Sequence, residues 1–340
     1  MKKQELIAAL ECVKPGLSNK ELIEQSTSFA FINGRVVTYN DEISISHPVA
    51  GLELTGAIQA TELYSILKKL KQEDIEISLT DTEVLLTAGK VKVGLILQQE
   101  IKLPINEIGE IKKWKILPED FEKAMQMAMM CTSTNSTKPV LNCVHINKGF
   151  IEGTDNYRIY KTDIATVFNT VEGEPKDDIL IPATSVSVLL KFGASKISLT
   201  SGWVHFKSTE NGAILSCRTF ADAFPSTDGI TKIKGKPIKF PKTISNILDR
   251  ATVFGKHGAS VTDEEVHVLL ENKRIKISAK SESGWFSEEA NVDYNGEKVE
   301  FNIMPSLLKG ILGETTTCLF NGTILRFEGE GWLFITLLKG

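Results

Sequence analysis

The feature that most constrains this chain is a run of secondary structure that it spells three times. From Asp178 to Phe220 the sequence reads as a strand (Ile179, Leu180, Ile181), then a helix opened by Pro182-Ala183-Thr184 with Val186, Leu189 and Leu190 at helical spacing. Two strands follow, Lys196-Ile-Ser-Leu-Thr and Trp203-Val-His-Phe-Lys. Leu54 to Leu97 repeats the pattern: Thr61 opens a helix carrying Leu63, Ile66 and Leu67, ahead of Ile75-Glu-Ile-Ser-Leu-Thr and Glu83-Val-Leu-Leu-Thr. Val299 to Leu338 repeats it again, with Pro305-Ser306, then Leu308, Ile311 and Leu312, then Cys318-Leu-Phe and Ile324-Leu-Arg-Phe. The period is roughly 115–125 residues, which marks a domain-scale repeat and not a solenoid unit.

Each repeat also has a front half of one helix and then strands. Pro118 is expected at the first helical position of a helix carrying Phe121, Ala124, Met125 and Ala128, and Pro241 plays the same part before Ile244, Ile247, Leu248 and Ala251. Glu5 to Val13 is the looser first-domain counterpart. Strands follow each, with Asn33-Gly34 and Asn272-Lys273 placed as hairpin turns. The chain therefore holds six half-units, and 340 residues suit several cores better than one. The expected domains are 1–113, 114–236 and 237–340, parted at the charged segments around Lys112-Lys113 and Gly235-Lys236. The expected class is α+β, with three similar domains of two half-units and helices on one face of antiparallel sheets.

Composition narrows the function. No apolar run approaches the ~18 residues of a membrane span, and Glu5 and Glu11 interrupt what a signal peptide would keep apolar, so a cytoplasmic protein is expected. The five cysteines show no C-x-x-C spacing and the five histidines no metal-ligand spacing, which argues against a zinc site and a disulfide framework. His145, His205 and His267 read as half-exposed strand residues. Gly255-Lys256-His257-Gly258 lacks the phosphate-loop spacing, and there is no G-x-S-x-G elbow. Met125, Met127, Met129 and Met130 read as core filling, with a pliable binding face as the alternative. No catalytic constellation, cofactor site or metal site is expected.

Two features remain. Lysines recur on or beside the helices, Lys68 and Lys191 among them, about opposite the buried stripe; taken singly each reads as an ordinary solvating charge. The segment Gly153-Thr154-Asp155-Asn156-Tyr157-Arg158-Ile159 places an aromatic and an arginine on an Asp-Asn turn, which suits a recognition surface as well as a plain hairpin tip.

At this segment the chain resembles the bacterial sliding-clamp family, the beta subunits of DNA polymerase III. The resemblance spans nearly the whole chain through Leu141-Asn142, Thr154 to Ile159, Ile181-Pro182, Phe224-Pro225, Asp293-Tyr294-Asn-Gly-Glu and Phe301-Asn302. It implies a processivity factor: a head-to-tail homodimer ring that encloses duplex DNA without reading its sequence and tethers a replicative polymerase. A ring holds DNA by topology, so the net charge of −4 is no objection to a nucleic-acid partner.

By the same resemblance, a pocket for short linear peptides of the polymerase and the clamp loader falls on Leu141, Thr154, Asn156, Tyr157, Arg158 and Ile159, with Phe334, Thr336 and Leu338 of the last strand as its other wall. DNA-facing residues would be Lys20, Lys68, Lys123, Asn135, Lys138, Lys191, Arg250 and Lys256, and the dimer interface would include Val253 and Phe254. Asn156-Tyr157 stands where the family has Gly-His, and the chain's end and its second linker also depart from the pattern. These departures point to a divergent member, such as a phage-encoded one. A non-catalytic repeat scaffold that binds proteins but not DNA is the competing reading.

Overall fold

A computed structural model describes residues 1–147, 149–164, 179–229, 234–256 and 264–338. Among them are six α-helices: α1 (Lys3–Val13), α2 (Ala60–Lys69), α3 (Phe121–Met130), α4 (Ala183–Leu189), α5 (Ile244–Gly255) and α6 (Pro305–Glu314). The apolar stripes read from the sequence face inward, with Ile66 and Leu190 half-buried at their margins; α5, for example, buries Ile244, Ile247, Leu248 and Ala251. Pro305 opens α6 as expected. Pro118 and Pro241 do not open α3 and α5. Both sit in a turn three residues upstream, where the Ile244 N–H closes back on the Pro241 carbonyl at 3.0 Å before the helical ladder begins.

The strands fall into half-sheets that follow the repeat. The three front halves are β1 (Ser28–Ile32), β2 (Arg35–Tyr39), β3 (Ile43–Pro48) and β4 (Gly56–Gln59); β9 (Cys143–Ile146), β10 (Phe150–Thr154), β11 (Arg158–Asp163) and β12 (Ile179–Pro182); and β17 (Val266–Glu271), β18 (Arg274–Ser281), β19 (Gly284–Asn291) and β20 (Val299–Ile303). Each has the same order, with its first strand between its fourth and second. The back halves are β5 (Glu76–Leu79), β6 (Glu83–Ala88) and β7 (Val91–Ile96); β13 (Lys196–Thr200), β14 (Trp203–Lys207) and β15 (Ile214–Arg218); and β21 (Thr317–Phe320), β22 (Ile324–Gly329) and β23 (Trp332–Leu337). A short strand borders the last two, β8 (Lys115–Ile116) on β13 and β16 (Lys236–Lys239) on β21. Lys2 bridges Asp74 in the same place beside β5.

By its contacts the chain forms two compact units, residues 1–119 with 184–221 and residues 120–183 with 222–340. Each contains one eight-stranded sheet made by joining a front half to the back half of the next repeat. In the first unit β3 pairs with β15; in the second, β11 pairs with β23. The strand ladders thus run across the boundaries that the sequence repeat suggests. One half-sheet is left over in each unit: β5-β6-β7 in the first and β20-β17-β18-β19 in the second.

Helices cover one face of the sheets. In the first unit α1 packs on β2 and β3 and against α2. In the second, α3 packs on β9, β10 and β11, and α5 packs on β17, β18 and β19 and against α6. Contact between α3 and β10 is set by Gly153, where a Cβ would stand 2.1 Å from the Ala128 carbonyl oxygen. Asn33-Gly34 and Asn272-Lys273 all have positive φ, the left-handed pair that tight hairpins need. Four of the five cysteines are buried.

Candidate functional site

The Thr154–Ile159 turn is built from its own side chains. Asp155 Oδ1 accepts the Tyr157 and Arg158 amides at 2.9 and 2.7 Å, and the Thr154 hydroxyl donates to the Arg158 carbonyl at 2.7 Å. Asn156 takes φ 72°, which asparagine tolerates well. The Arg158 guanidinium is held through Nε and Nη2 on Asp155 Oδ2 at 3.0 and 2.8 Å. A pre-oriented, half-buried arginine results, with little rotamer freedom left to lose on binding.

Ladder pairing brings this turn to the last strand. Arg158 lies opposite Thr336, Ile159 opposite Ile335, Tyr160 opposite Phe334, and the Leu337 amide donates to the Tyr157 carbonyl at 2.7 Å. Leu338 continues beside Thr323. The side chains separate by strand alternation, however. Gly153, Tyr160 and Phe334 are cross-strand neighbours on the α3 face, so Arg158 and Thr336 share that face, while Tyr157, Ile159 and Leu337 take the other. Leu141, Thr154, Ile159, Phe334 and Thr336 are all buried. Of this group the surface receives Tyr157, 57% exposed, and Leu337, 40% exposed, with Asn156 exposed and Arg158 and Leu338 half-buried. Leu337 is the residue that sequence reading passed over. Strand alternation counted from Trp332 is the signal that picks it out.

Across the same open face runs the second linker, described as far as Gly229. Phe224 lies on the buried His145 ring at 4.5 Å, His145 Nδ1 is 2.7 Å from Glu152 Oε1, and the Thr227 hydroxyl donates to Glu152 Oε2 at 2.8 Å. Lys161 Nζ sits 3.7 Å above the Phe150 ring. His145 is therefore not the half-exposed strand residue expected from alternation, because the linker covers it. His205 is buried too, in a chain that runs from the Ile108 carbonyl to Thr200 Oγ1, from there to His205 Nε2, and from His205 Nδ1 to Ser216 Oγ, each step 2.8 Å. Burial holds its imidazole down to about 4, so it is neutral; with Thr200 donating to Ile108, the proton belongs on Nε2.

All eight candidate DNA-facing residues are exposed, in line with surface positions. Half of them are paired. Lys68 meets Glu11 at 2.5 Å, Lys123 meets Glu314 at 2.5 Å, Arg250 meets Glu288 at 2.7 Å, and Lys256 meets Glu264 at 3.5 Å. The first of these pairs recurs in the repeat: Tyr64 and Lys68 of α2 reach Glu11 of α1, as Lys309 of α6 reaches Asp249 of α5. His257 and Gly258 of the rejected phosphate loop, and Lys339 and Gly340, lie outside the described residues. Val253 is 70% exposed, and the half-buried Phe254 ring lies against Gly284 of β19.

Among the described residues no group of three or more His, Cys, Asp or Glu could hold a metal, and no helix is long and apolar enough to cross a membrane.

Three helix-backed repeats joined half-sheet to half-sheet define the class: this is the sliding-clamp fold. The DNA polymerase sliding clamp from Bacillus subtilis is 20% identical with a TM-score of 0.75, and a DnaN sliding clamp (DNA polymerase III subunit beta) from Bartonella birtlesii, bound to griselimycin, is 16% identical with a TM-score of 0.76. The DNA polymerase III beta subunit from Thermotoga maritima is 16% identical with a TM-score of 0.72. In each case the match covers 100% of this chain and 98% of the other. No family model and no curated protein sequence matches the chain.

Proposed function

We propose that this chain is a DNA sliding clamp, a ring-forming processivity factor that works in the cytoplasm and tethers a replicative polymerase to duplex DNA. The observation that carries the reading is the pair of half-sheets left with an open edge. Two joints of front half to next back half are complete within the chain. The same rule, applied once more, sends β19 of one copy to β7 of another, head to tail, and two copies close a ring.

Repeat alignment supplies the register. Superposing β19 on β3 and β7 on β15 places Trp285 opposite Ile96, Phe286 opposite Leu95, Ser287 opposite Gly94 and Glu289 opposite Lys92. Trp285 and Ile96 are 72% and 76% exposed in the single chain. Open edges lined with apolar side chains are a hazard unless something pairs with them. This joint covers the apolar pair and sets Lys92 against Glu289.

On this reading Val253 and Phe254 flank the joint, the three domains are 1–113, 114–236 and 237–340, and Lys20, Lys68, Lys123, Asn135, Lys138, Lys191, Arg250 and Lys256 face DNA phosphates. Four carboxylate pairs leave that surface only mildly basic, which suits a ring that must slide. Short linear peptides of the polymerase and clamp loader dock over the end of the second joint, on Tyr157 and Leu337 of the open face, with Arg158 and Leu338 of the α3 face at its rim. Light scattering should give about twice the 37.5 kDa chain mass. In the variant carrying Ile96→Cys and Trp285→Cys, oxidation should form a covalent dimer. A monomer at micromolar concentration, or no cross-link, sinks the reading.

A further inference from the structure

The two completed joints are the same object built twice, and they differ in what covers their helix-free face. The turns match: Asn40 Oδ1 accepts the Glu42 and Ile43 amides as Asp155 Oδ1 accepts those of Tyr157 and Arg158, and Asp41, like Asn156, has positive φ. Ladder registers make Tyr39 the counterpart of Thr154, Ala30 of His145, and Arg218 of Leu337. The linkers match as well. Leu103 of Leu103-Pro104 packs in one cluster with Ala30, and Phe224 of Phe224-Pro225 lies on the His145 ring.

Beyond that dipeptide they part. The first linker continues with Ile105 and Ile108, which pack with Leu103 on Tyr39, Ala57 and Trp203. At the same offsets the second linker has the exposed Ser226 and Gly229. The face that stays covered at the first joint is the one on which the second joint exposes Tyr157 and Leu337. Arg218 seals the first turn, with Nε on the Asp41 carbonyl at 2.8 Å, Nη2 on the Tyr39 hydroxyl at 2.7 Å, and its guanidinium 4.9 Å from the Trp203 ring centre.

How the first linker is held matters most. From Glu100 to Ile108 its bonds to the sheet unit come from side chains, not from a strand ladder. Gln25 Nε2 donates to the Glu100 carbonyl and Gln25 Oε1 accepts the Lys102 amide, both at 2.8 Å; Thr200 donates to the Ile108 carbonyl; Lys102 pairs with Glu24 at 2.6 Å. A segment that runs without a ladder to Pro104, closes with a 3-10 turn over Ile105–Ile108, and is anchored by aliphatic side chains and clasped by an amide is held as a bound peptide is held.

We propose that residues 101–108 are an internal ligand, occupying at the first joint the groove that, among the described residues, the second joint leaves open to a partner peptide. The comparison with the second joint rests on the reading given above. The groove under the linker is then a second, latent peptide site. It is lined by Tyr39, Trp203 and Ala57, and fits a short segment that presents aliphatic residues and ends in a single 3-10 turn.

Native-state hydrogen exchange on the full chain tests this directly. A docked ligand releases locally, so amides of residues 105–108 should exchange at least tenfold faster than those of β2 and β14; exchange of all three segments in one global step overturns the proposal. A second arm uses a synthetic peptide copy of residues 99–110 with a photoreactive residue in place of Ile105. It should cross-link around Tyr39 and Trp203 in the Ile105→Ser, Ile108→Ser variant and not in the parent. A folded variant that captures no peptide there overturns the proposal. Cross-linking of the same peptide near Tyr157 and Leu337 of the parent reports on the second joint alone, so its failure counts against that reading and leaves the first-joint result standing.

Discussion

Replacing Ile96 with alanine isolates one contact of the inter-chain joint. Ile96 ends β7, is 76% exposed in the single chain, and in the proposed joint would stand opposite Trp285, by the register carried over from β3 and β15. The change removes three carbon groups worth about 0.8 kcal/mol each on burial, and about three-quarters of that surface is newly covered on association, so the loss is about 2 kcal/mol. The dimer dissociation constant should then rise roughly 20- to 30-fold. Because the side chain is exposed beforehand, the folded chain itself should change by less than about 0.5 kcal/mol. Sedimentation over a nanomolar-to-micromolar dilution series measures the first, and urea unfolding below the dissociation constant measures the second. A cycle with Lys92→Glu and Glu289→Lys adds a check, since each single change should weaken the dimer and the double should recover part of it. An unchanged dissociation constant for Ile96→Ala refutes the register, and an unfolded chain refutes the claim that β7 is a free edge.

Other outcomes follow from the same geometry. Arg158→Ala should weaken binding of a labelled polymerase C-terminal peptide by about 1–3 kcal/mol, and deleting residues 337 to 340 should abolish it while light scattering still finds the dimer; equal affinities move the peptide site elsewhere. Gly153→Ala should cost about 3 kcal/mol or more by urea unfolding, because the new methyl meets the Ala128 carbonyl and α3 must lift. His205 has a folded-state value of about 4, below its ordinary 6.5, so its contribution to stability is fully present above pH 6.5 and fades as pH falls toward 4. The parent should lose on the order of 3 kcal/mol across that window relative to His205→Gln; parallel pH profiles count against a buried neutral imidazole.

Much of the fold was legible because period and amphipathicity are local. The stripes of α1, α3, α5 and α6 could be read at 3.6-residue spacing, and Asn33-Gly34 could be read as a turn because only a few residues accept two left-handed positions. What could not be read was pairing between distant segments. Nothing in Ile43–Pro48 announces that β15 will be its neighbour, so the sheets' crossing of the repeat boundaries appears only in the ladders. The same limit explains the misplaced helix starts, since proline marks a boundary without saying on which side of a three-residue turn the helix begins. At the candidate site the turn is legible from Tyr157 and Arg158, but the wall residues Phe334 and Thr336, which the resemblance implies, fall on the buried parity of β23. Leu337, exposed on the opposite parity, was left out for want of knowing which face α3 covers. His145 and His205 looked half-exposed because the linkers that bury them are distant in sequence.

Topological linkage to DNA is the central claim, and a closed ring tests it most directly. The variant carrying Ile96→Cys and Trp285→Cys is mixed under reducing conditions with nicked circular plasmid, oxidised to seal both joints, and passed over a sizing column in 1 M salt, where phosphate contacts are screened. A ring that encloses the duplex stays with the circular plasmid and is lost once a restriction enzyme linearises it. Loss from the circle in high salt, or equal retention on linear and circular DNA, contradicts the account.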